Sequence, residues 1–280
     1  MHFTTEKEGE LFTLLCEKAK DCSKNTLRSW LEWGRISVQG KIIRSHHFRV
    51  QGGVEIELLS KKQMLDEEIE ILYEDRDLIA LIKPIHVLSV AEDDQQGSSV
   101  HERLKRRKWS RRVYPVHRLD RETSGVMLFA LSLDARESIK AQFEKRLVQK
   151  EYCAVVEGKL EPQSGVWEHY LEEGVDLLVR PSMKQRGKYA RTKFTMITQK
   201  TGFSLLELRP ITGRKHQLRA QCHAAGYPIA GDVRYGARTD PFQRVALHAF
   251  RIAFTHPKTR KFMMFEAPVP KAFYNMFPMR

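Results

Sequence analysis

Apolar positions recur at helical spacing near the start of the chain: Leu11, Leu14 and Leu15, then Leu27, Trp30 and Leu31. That period predicts two short helices, the second stopped by Gly34 at a C-cap position. The pattern then changes to alternation. Ile36 and Val38 precede Gln39-Gly40, and Val54, Ile56 and Leu58 follow Gly52-Gly53, which predicts a small sheet joined by tight turns. Residues 61–67 are polar and carry no period, so they read as a linker between a module at 1–60 and a larger domain at 68–280. In the larger domain strands are predicted at 69–73, at 78–82 (closed by Lys83-Pro84), at 126–131, at 152–156 (ended by Gly158) and at 203–208. Ser132 or Asp134 caps a helix with Ala135, Ile139, Phe143 and Leu147 on one face. A second helix is predicted over 215–225. Strands and helices mix through this domain, with neither an internal repeat nor a low-complexity tract.

Composition changes this picture little. Of 280 residues, 41% are hydrophobic and 30% charged, as in ordinary globular domains. No apolar run approaches the roughly 20 residues that span a bilayer, so no membrane partner is expected. Met1 to Glu10 holds three glutamates and no apolar core, unlike a signal peptide, and a cytosolic monomer is expected. Cys16, Cys22, Cys153 and Cys222 show neither a disulfide framework nor zinc spacing and are expected as free thiols, mostly buried.

The charge is more informative. The net value is +13, an excess that favours polyanions through steering and counterion release. Arg103, Lys105, Arg106, Arg107, Lys108, Arg111 and Arg112 form one dense run; Arg180, Lys184, Arg186, Lys188, Arg191 and Lys193 form a second. Either run alone reads as a solvated face. With Trp109, Tyr114 and Tyr189 in or beside them, the runs suit a nucleic-acid groove, where phosphates meet cations and bases stack on rings. The small module is different: nine Lys or Arg against eight acids leave it at +1, and the rest of the chain carries the other +12.

The strongest local signal is His117-Arg118-Leu119-Asp120-Arg121-Glu122-Thr123-Ser124-Gly125. It resembles the signature of the RluA-type family of pseudouridine synthases, His-Arg-Leu-Asp followed two residues later by Thr-Ser-Gly. Further stretches agree in the family's order: Lys150 to Gly158, Lys188 to Thr192, Thr212-Gly213-Arg214-Lys215-His216-Gln217-Leu218-Arg219, Gly226 to Asp232, Tyr235-Gly236, Leu247-His248-Ala249 and His256-Pro257. The resemblance covers roughly 68–270. One departure lies after Lys83-Pro84, where the family usually has glycine and this chain has His86, which puts the local turn in question. In the small module, Leu27 to Leu58 resembles an RNA-binding module first seen in a ribosomal small-subunit protein, through a helix, Gly34-Arg35-Ile36-Ser37-Val38, Gly40 and Gly53-Val54-Glu55-Ile56.

The resemblance implies an α+β domain with a largely antiparallel central sheet, and an isomerase that detaches uracil from its ribose and reattaches it through carbon 5. No atom is gained or lost, so neither a cofactor nor a metal is expected. A carboxylate can act on the sugar as in retaining glycoside hydrolysis, attack the uracil ring, or remove a sugar proton; the sequence leaves these routes open. By resemblance Asp120 is the catalytic carboxylate and Arg219 its basic partner, preferred over Arg214. Tyr152 stacks on the target base, and Arg118 fills the gap left by a flipped nucleotide, since a stacked base cannot turn within its helix. His117 either bonds phosphate or supports the loop. Arg106, Arg107, Arg111, Arg112, Lys188, Arg191 and Arg214 are the expected sites of RNA binding. His216, Cys222 and His223 match no zinc pattern. The expected partner is structured RNA, ribosomal large-subunit RNA first and transfer RNA second. The competing readings are a non-catalytic RNA-binding factor, disfavoured by intact Asp120, Tyr152 and Arg219, and a nucleoside glycosidase, disfavoured by the basic surface.

Overall fold

The computed structural model describes all residues except 1, 33–34, 44, 60–68, 92–98, 107–111, 183–185, 201 and 278–280. The chain divides into two compact units, Met1–Glu68 and Ile69–Arg280. The proposed linker and the Gly34 helix stop lie outside the described residues.

In the first unit β1 (His2–Thr4) and β2 (Gly9–Glu10) precede helices α1 (Leu11–Lys18) and α2 (Lys24–Glu32), followed by β3 (Ile36–Val38), β4 (Lys41–Ile43), β5 (Arg49–Val50) and β6 (Glu55–Leu58). Four strands pair antiparallel in the order β1-β6-β3-β4, and β2 pairs β5. The periodic leucines Leu11, Leu14, Leu15, Leu27 and Leu31 are buried against Ile36, Val38 and Ile56, so the apolar period and the strand alternation meet in one core. Strand β1 carries no alternating pattern of its own, and sequence reasoning missed it.

The second unit runs β7 (Ile71–Glu74), β8 (Leu78–Lys83), α3 (Val100–Arg106), β9 (Tyr114–Pro115), β10 (Ser124–Ala130), α4 (Leu133–Glu144), β11 (Gln149–Glu157), β12 (Ser164–Glu173), β13 (Val179–Pro181), β14 (Lys188–Lys200), β15 (Phe203–Pro210), α5 (Gln217–Ala224), β16 (Leu247–Thr255), β17 (Phe262–Glu266) and α6 (Lys271–Asn275). Eleven strands form one sheet in the order β13-β12-β14-β15-β11-β16-β10-β8-β7, with β17 on β16 and β9 on β10. Every pairing is antiparallel except β10 with β16. The fold is therefore α+β with a mostly antiparallel sheet.

Strand β10 is buried on both faces. Val126, Leu128 and Ala130 join Ala135 and Ile139 of α4, while Met127 and Phe129 join Val100 and Leu104 of α3. Helices covering both sides explain its unbroken apolar run. Gly125 opens the strand with φ +122°, and a Cβ there would lie 2.1 Å from the Ala249 carbonyl oxygen; only glycine permits this approach of β10 to β16.

Ser132 caps α4, its hydroxyl accepting the Ala135 N–H. The helix ends at Glu144, so Leu147 lies beyond it and is exposed rather than on the buried face. Helix α5 begins two residues later than predicted because His216 takes a left-handed φ of 49°. The long strands β12 and β14 and the edge strand β17 were missed: β12 and β17 have few fully buried positions, and the buried face of β14, Ala190, Thr192 and Phe194, mixes small, polar and aromatic side chains. All four cysteines are free. Among the described residues no helix is long and apolar enough to cross a membrane.

Candidate active site

Asp120 lies in the turn that enters β10, and that turn is clamped on both sides. The Ser89 hydroxyl donates to the Leu119 carbonyl at 2.6 Å and accepts the Leu119 N–H at 3.0 Å. On the other side the Arg121 carbonyl accepts from Lys83 Nζ at 3.3 Å and from the His86 N–H at 2.7 Å. Lys83 is fully buried, and its ammonium also donates to the carbonyls of Pro84 and Val87. Burial pulls that ammonium down to about 7, against the opposing pull of Glu122 and Asp120. His86 has φ 63°, the left-handed region where glycine is at ease. His86 adopts that conformation here with its N–H aimed at the loop.

The sheet register brings the other groups to Asp120. Ala249 of β16 is paired with Gly125 of β10 on one side and with Tyr152 of β11 on the other. Asp120 and Tyr152 consequently line the same cavity of about 530 Å³, together with His117, Arg118, Lys150 and Arg214. Helix α5 is fastened beside it by a buried polar chain. Thr212 Oγ1 donates to Gln217 Oε1, Gln217 Nε2 donates to Thr192 Oγ1, and Thr192 Oγ1 donates to Gln221 Oε1, at 2.7, 2.9 and 2.6 Å.

Among the described residues none donates a hydrogen bond to the Asp120 carboxylate. Burial pushes its carboxyl above the ordinary range; Arg219 opposes this, Glu122 reinforces it, and Arg118 and Lys83 oppose it. Arg219 itself is only 2% exposed. Its Nε and Nη2 donate to the two carboxylate oxygens of Asp232 at 2.6 and 2.8 Å, and its Nη1 donates to Glu122 at 3.1 Å. The guanidinium lies over the Tyr235 ring at 4.9 Å. Arg219 thus acts on Asp120 through its field, while its hydrogen bonds go to Asp232 and Glu122. Burial alone would raise Glu122; Arg219 and Arg121 override it and hold the carboxyl at about 2. Glu122 and Asp232 were not singled out from sequence, although both lie inside the family motifs.

Tyr152 is held as a neutral phenol: burial, and then the charge of Asp120, push its hydroxyl well above the ordinary range. His117 lines the cavity and is tied to the strand behind it. The Leu128 N–H donates to its Nε2 at 2.9 Å, its ring packs on Phe143, and burial, then Lys150, push it down to about 3. Arg118 is exposed at the cavity. Arg214 donates to the Tyr189 carbonyl at 3.0 Å. Lys188 and Arg191 belong to β14, outside the cavity lining, and Arg191 pairs with Glu168 at 3.5 Å. Arg112 is exposed; the side chain of Arg106 and residues 107–111, including Arg107 and Arg111, lie outside the described residues.

The cavity holds a carboxylate, a phenol and several cations on one mostly antiparallel sheet, and comparison with known proteins gives the class. Residues 77–224 match the family described as RNA pseudouridylate synthase. A dual-specificity RNA pseudouridine synthase, RluA, of Pasteurella multocida is 37% identical over 75% of this chain and 98% of its own. Ribosomal large subunit pseudouridine synthase D of Nitrosomonas europaea is 30% identical over 89% of this chain and 77% of its own. Among solved structures, human RNA pseudouridylate synthase domain containing 1 is 27% identical, with a TM-score of 0.61 over 72% of this chain and 84% of its own. The chain belongs to the RNA pseudouridylate synthase family. It is an isomerase of RNA uridines.

Proposed function

We propose that Asp120 is the catalytic carboxylate, with Arg219 as its charge partner, Tyr152 as the platform for the target base and Arg118 as the group that fills the space of the flipped nucleotide. The observation that carries this reading is the Asp120 carboxylate itself. It faces the cavity beside Tyr152 with no hydrogen bond from the described residues, while the main chain on either side of it is clamped. A reactive oxygen needs that combination of fixed position and unoccupied lone pairs.

The reaction breaks the bond from ring nitrogen 1 to the sugar, turns the uracil, joins carbon 5 to the sugar and releases the carbon 5 proton. Attack on the sugar, attack on the ring and removal of a sugar proton each require Asp120 ionised. The guanidinium of Arg219 supplies the positive field for that state against the cost of burial. The neutral ring of Tyr152 offers a flat face for uracil. Arg118 is the residue before Leu119 on the clamped turn, exposed and cationic, so it can enter a vacated stack without rearranging the floor.

The substrate is structured RNA, ribosomal large-subunit RNA first and transfer RNA second. Relatives named for each substrate, a ribosomal large subunit synthase and a transfer RNA synthase, support both. The first unit adds positioning on a large RNA. Between Lys24 and Arg49 it holds six bases and the single acid Glu32.

Asp120→Asn keeps size and removes the charge. Isomerisation should be lost with RNA binding largely kept, because phosphate neutralisation dominates affinity; turnover within about tenfold of the parent would sink the assignment. Pseudouridine mapping in cells with and without the gene identifies the substrate. Loss confined to transfer RNA sites would overturn the ribosomal preference.

A further inference from the structure

Lys150 is a cation in the cavity to which the reading above gives no task. It lies on β11 two residues before Tyr152, so both side chains leave the same face of the strand, and both line the same cavity. The residue is partly buried. Its ammonium is 5.9 Å from the centroid of the Phe143 ring and rests against the main chain of Gly213, where a Cβ would come within 3.4 Å of Nζ. Among the described residues no carboxylate pairs with it and no group accepts a hydrogen bond from it. The neighbouring imidazole of His117 is neutral and engaged with the Leu128 N–H. Burial pulls the ammonium down to about 8, which still leaves it mostly charged at neutral pH.

A partly desolvated ammonium without a partner is unfavourable unless a ligand supplies the anion. Two other basic residues near this site are already committed: Arg219 is shared between Asp232 and Glu122, and Lys83 donates to three main-chain carbonyls. The strand repeat sets the scale. Two residues along β11 advance about 6.8 Å, roughly the span from a pyrimidine ring to the phosphate on its own ribose. If uracil stacks on Tyr152, that phosphate arrives at Lys150.

We propose that Lys150 is the phosphate-binding residue for the target nucleotide, holding the phosphate on its 5′ side once the nucleotide has left the helix. This rests on the reading of the cavity as the uridine site. Outer cations such as Arg214 meet the RNA whether or not a nucleotide is flipped, whereas Lys150 is reached only by a flipped one. It therefore selects the extruded state and fixes the ribose over Asp120.

The test is a cycle between protein and substrate. The substrate is a synthetic stem-loop carrying the uridine found by mapping, with a neutral methylphosphonate on its 5′ side and 2′-deoxyribose on the preceding nucleotide to keep that linkage stable. The control stem-loop has the same deoxyribose and an ordinary phosphate. Lys150→Met should lower kcat/KM on the control by about tenfold or more, the loss expected for one charge-assisted hydrogen bond. The methylphosphonate should lower it comparably for the parent enzyme and hardly further for Lys150→Met. Lys150→Arg should regain sensitivity to the methylphosphonate, and thermal melting of both variants verifies the fold. Losses that multiply in Lys150→Met, or coupling found only with a methylphosphonate on the 3′ side, would overturn the proposal. Asp120→Asn measured alongside separates the two readings. If it turns over, the cavity is not the reactive site; if it is inactive while the Lys150 and phosphate losses multiply, only the phosphate assignment falls.

Discussion

Asp232→Asn tests the buried charge network behind the active site. The change is nearly isosteric and touches nothing in the cavity lining. Asp232 and Arg219 are 1% and 2% exposed and share two hydrogen bonds of 2.6 and 2.8 Å. In the variant the amide oxygen can still accept from one guanidinium nitrogen, but the amide nitrogen opposes the other, donor against donor. Removing one partner of a buried pair costs about 3–5 kcal/mol. Glu122 still accepts from Nη1 at 3.1 Å, so the low end applies, about 3 kcal/mol. At about 2–4 °C per kcal/mol for a unit of this size, the melting temperature should fall by about 6–12 °C. Calorimetry of the full chain measures this. A second signature separates the network from simple packing. With one carboxylate fewer on Arg219, more of its positive field reaches Asp120, whose pKa falls. The acid limb of the single-turnover rate should then move to lower pH. A loss below about 1 kcal/mol with an unmoved acid limb would refute the reasoning.

Three further outcomes follow from the same geometry. Glu122 is held at about 2 against an ordinary 4.5, so its contribution to stability is present above pH 4.5 and is lost as pH falls toward 2; urea unfolding of Glu122→Gln across that window should show a shallower pH dependence than the parent. Lys83→Met leaves the carbonyls of Pro84, Val87 and Arg121 without their shared donor and should cost about 3 kcal/mol, with a reduced kcat because the Asp120 turn loses one clamp; unchanged stability and rate in urea titration and single-turnover assays would contradict this. A chain beginning near Asp66 should fold, bind short stem-loops almost as the parent does and bind ribosomal RNA more weakly. Its log–log salt slope should be shallower by about one unit for each phosphate that the first unit neutralises in the full chain, and equal affinity and slope on whole ribosomal RNA would give the first unit another role.

The sequence by itself determined the local matters. The period of Leu11, Leu14 and Leu15, the alternation around Ile36 and Val38, and the apolar run of β10 each express where one element buries its side chains, and that is written in consecutive residues. The nonapeptide from His117 to Gly125 likewise named the turn that carries Asp120. Strands β12, β14 and β17 were illegible because β12 and β17 have few fully buried positions and the buried face of β14 mixes Ala190, Thr192 and Phe194; their pairing is set by backbone hydrogen bonds to neighbours, which no residue pattern encodes.

Only the tertiary structure decided the electrostatics. Lys83 looked like the polar end of a strand, yet it is fully buried beneath a loop 38 residues away. Arg219 was legible as a cation near Asp120, but its hydrogen bonds run to Glu122, 97 residues earlier, and to Asp232. Lys150 became a cavity cation because β11 lies beside β16, which in turn pairs with β10. Charge–charge energies depend on distance and burial in three dimensions. The residue type tells which charges exist, and the packing of strands from opposite ends of the chain decides which of them meet.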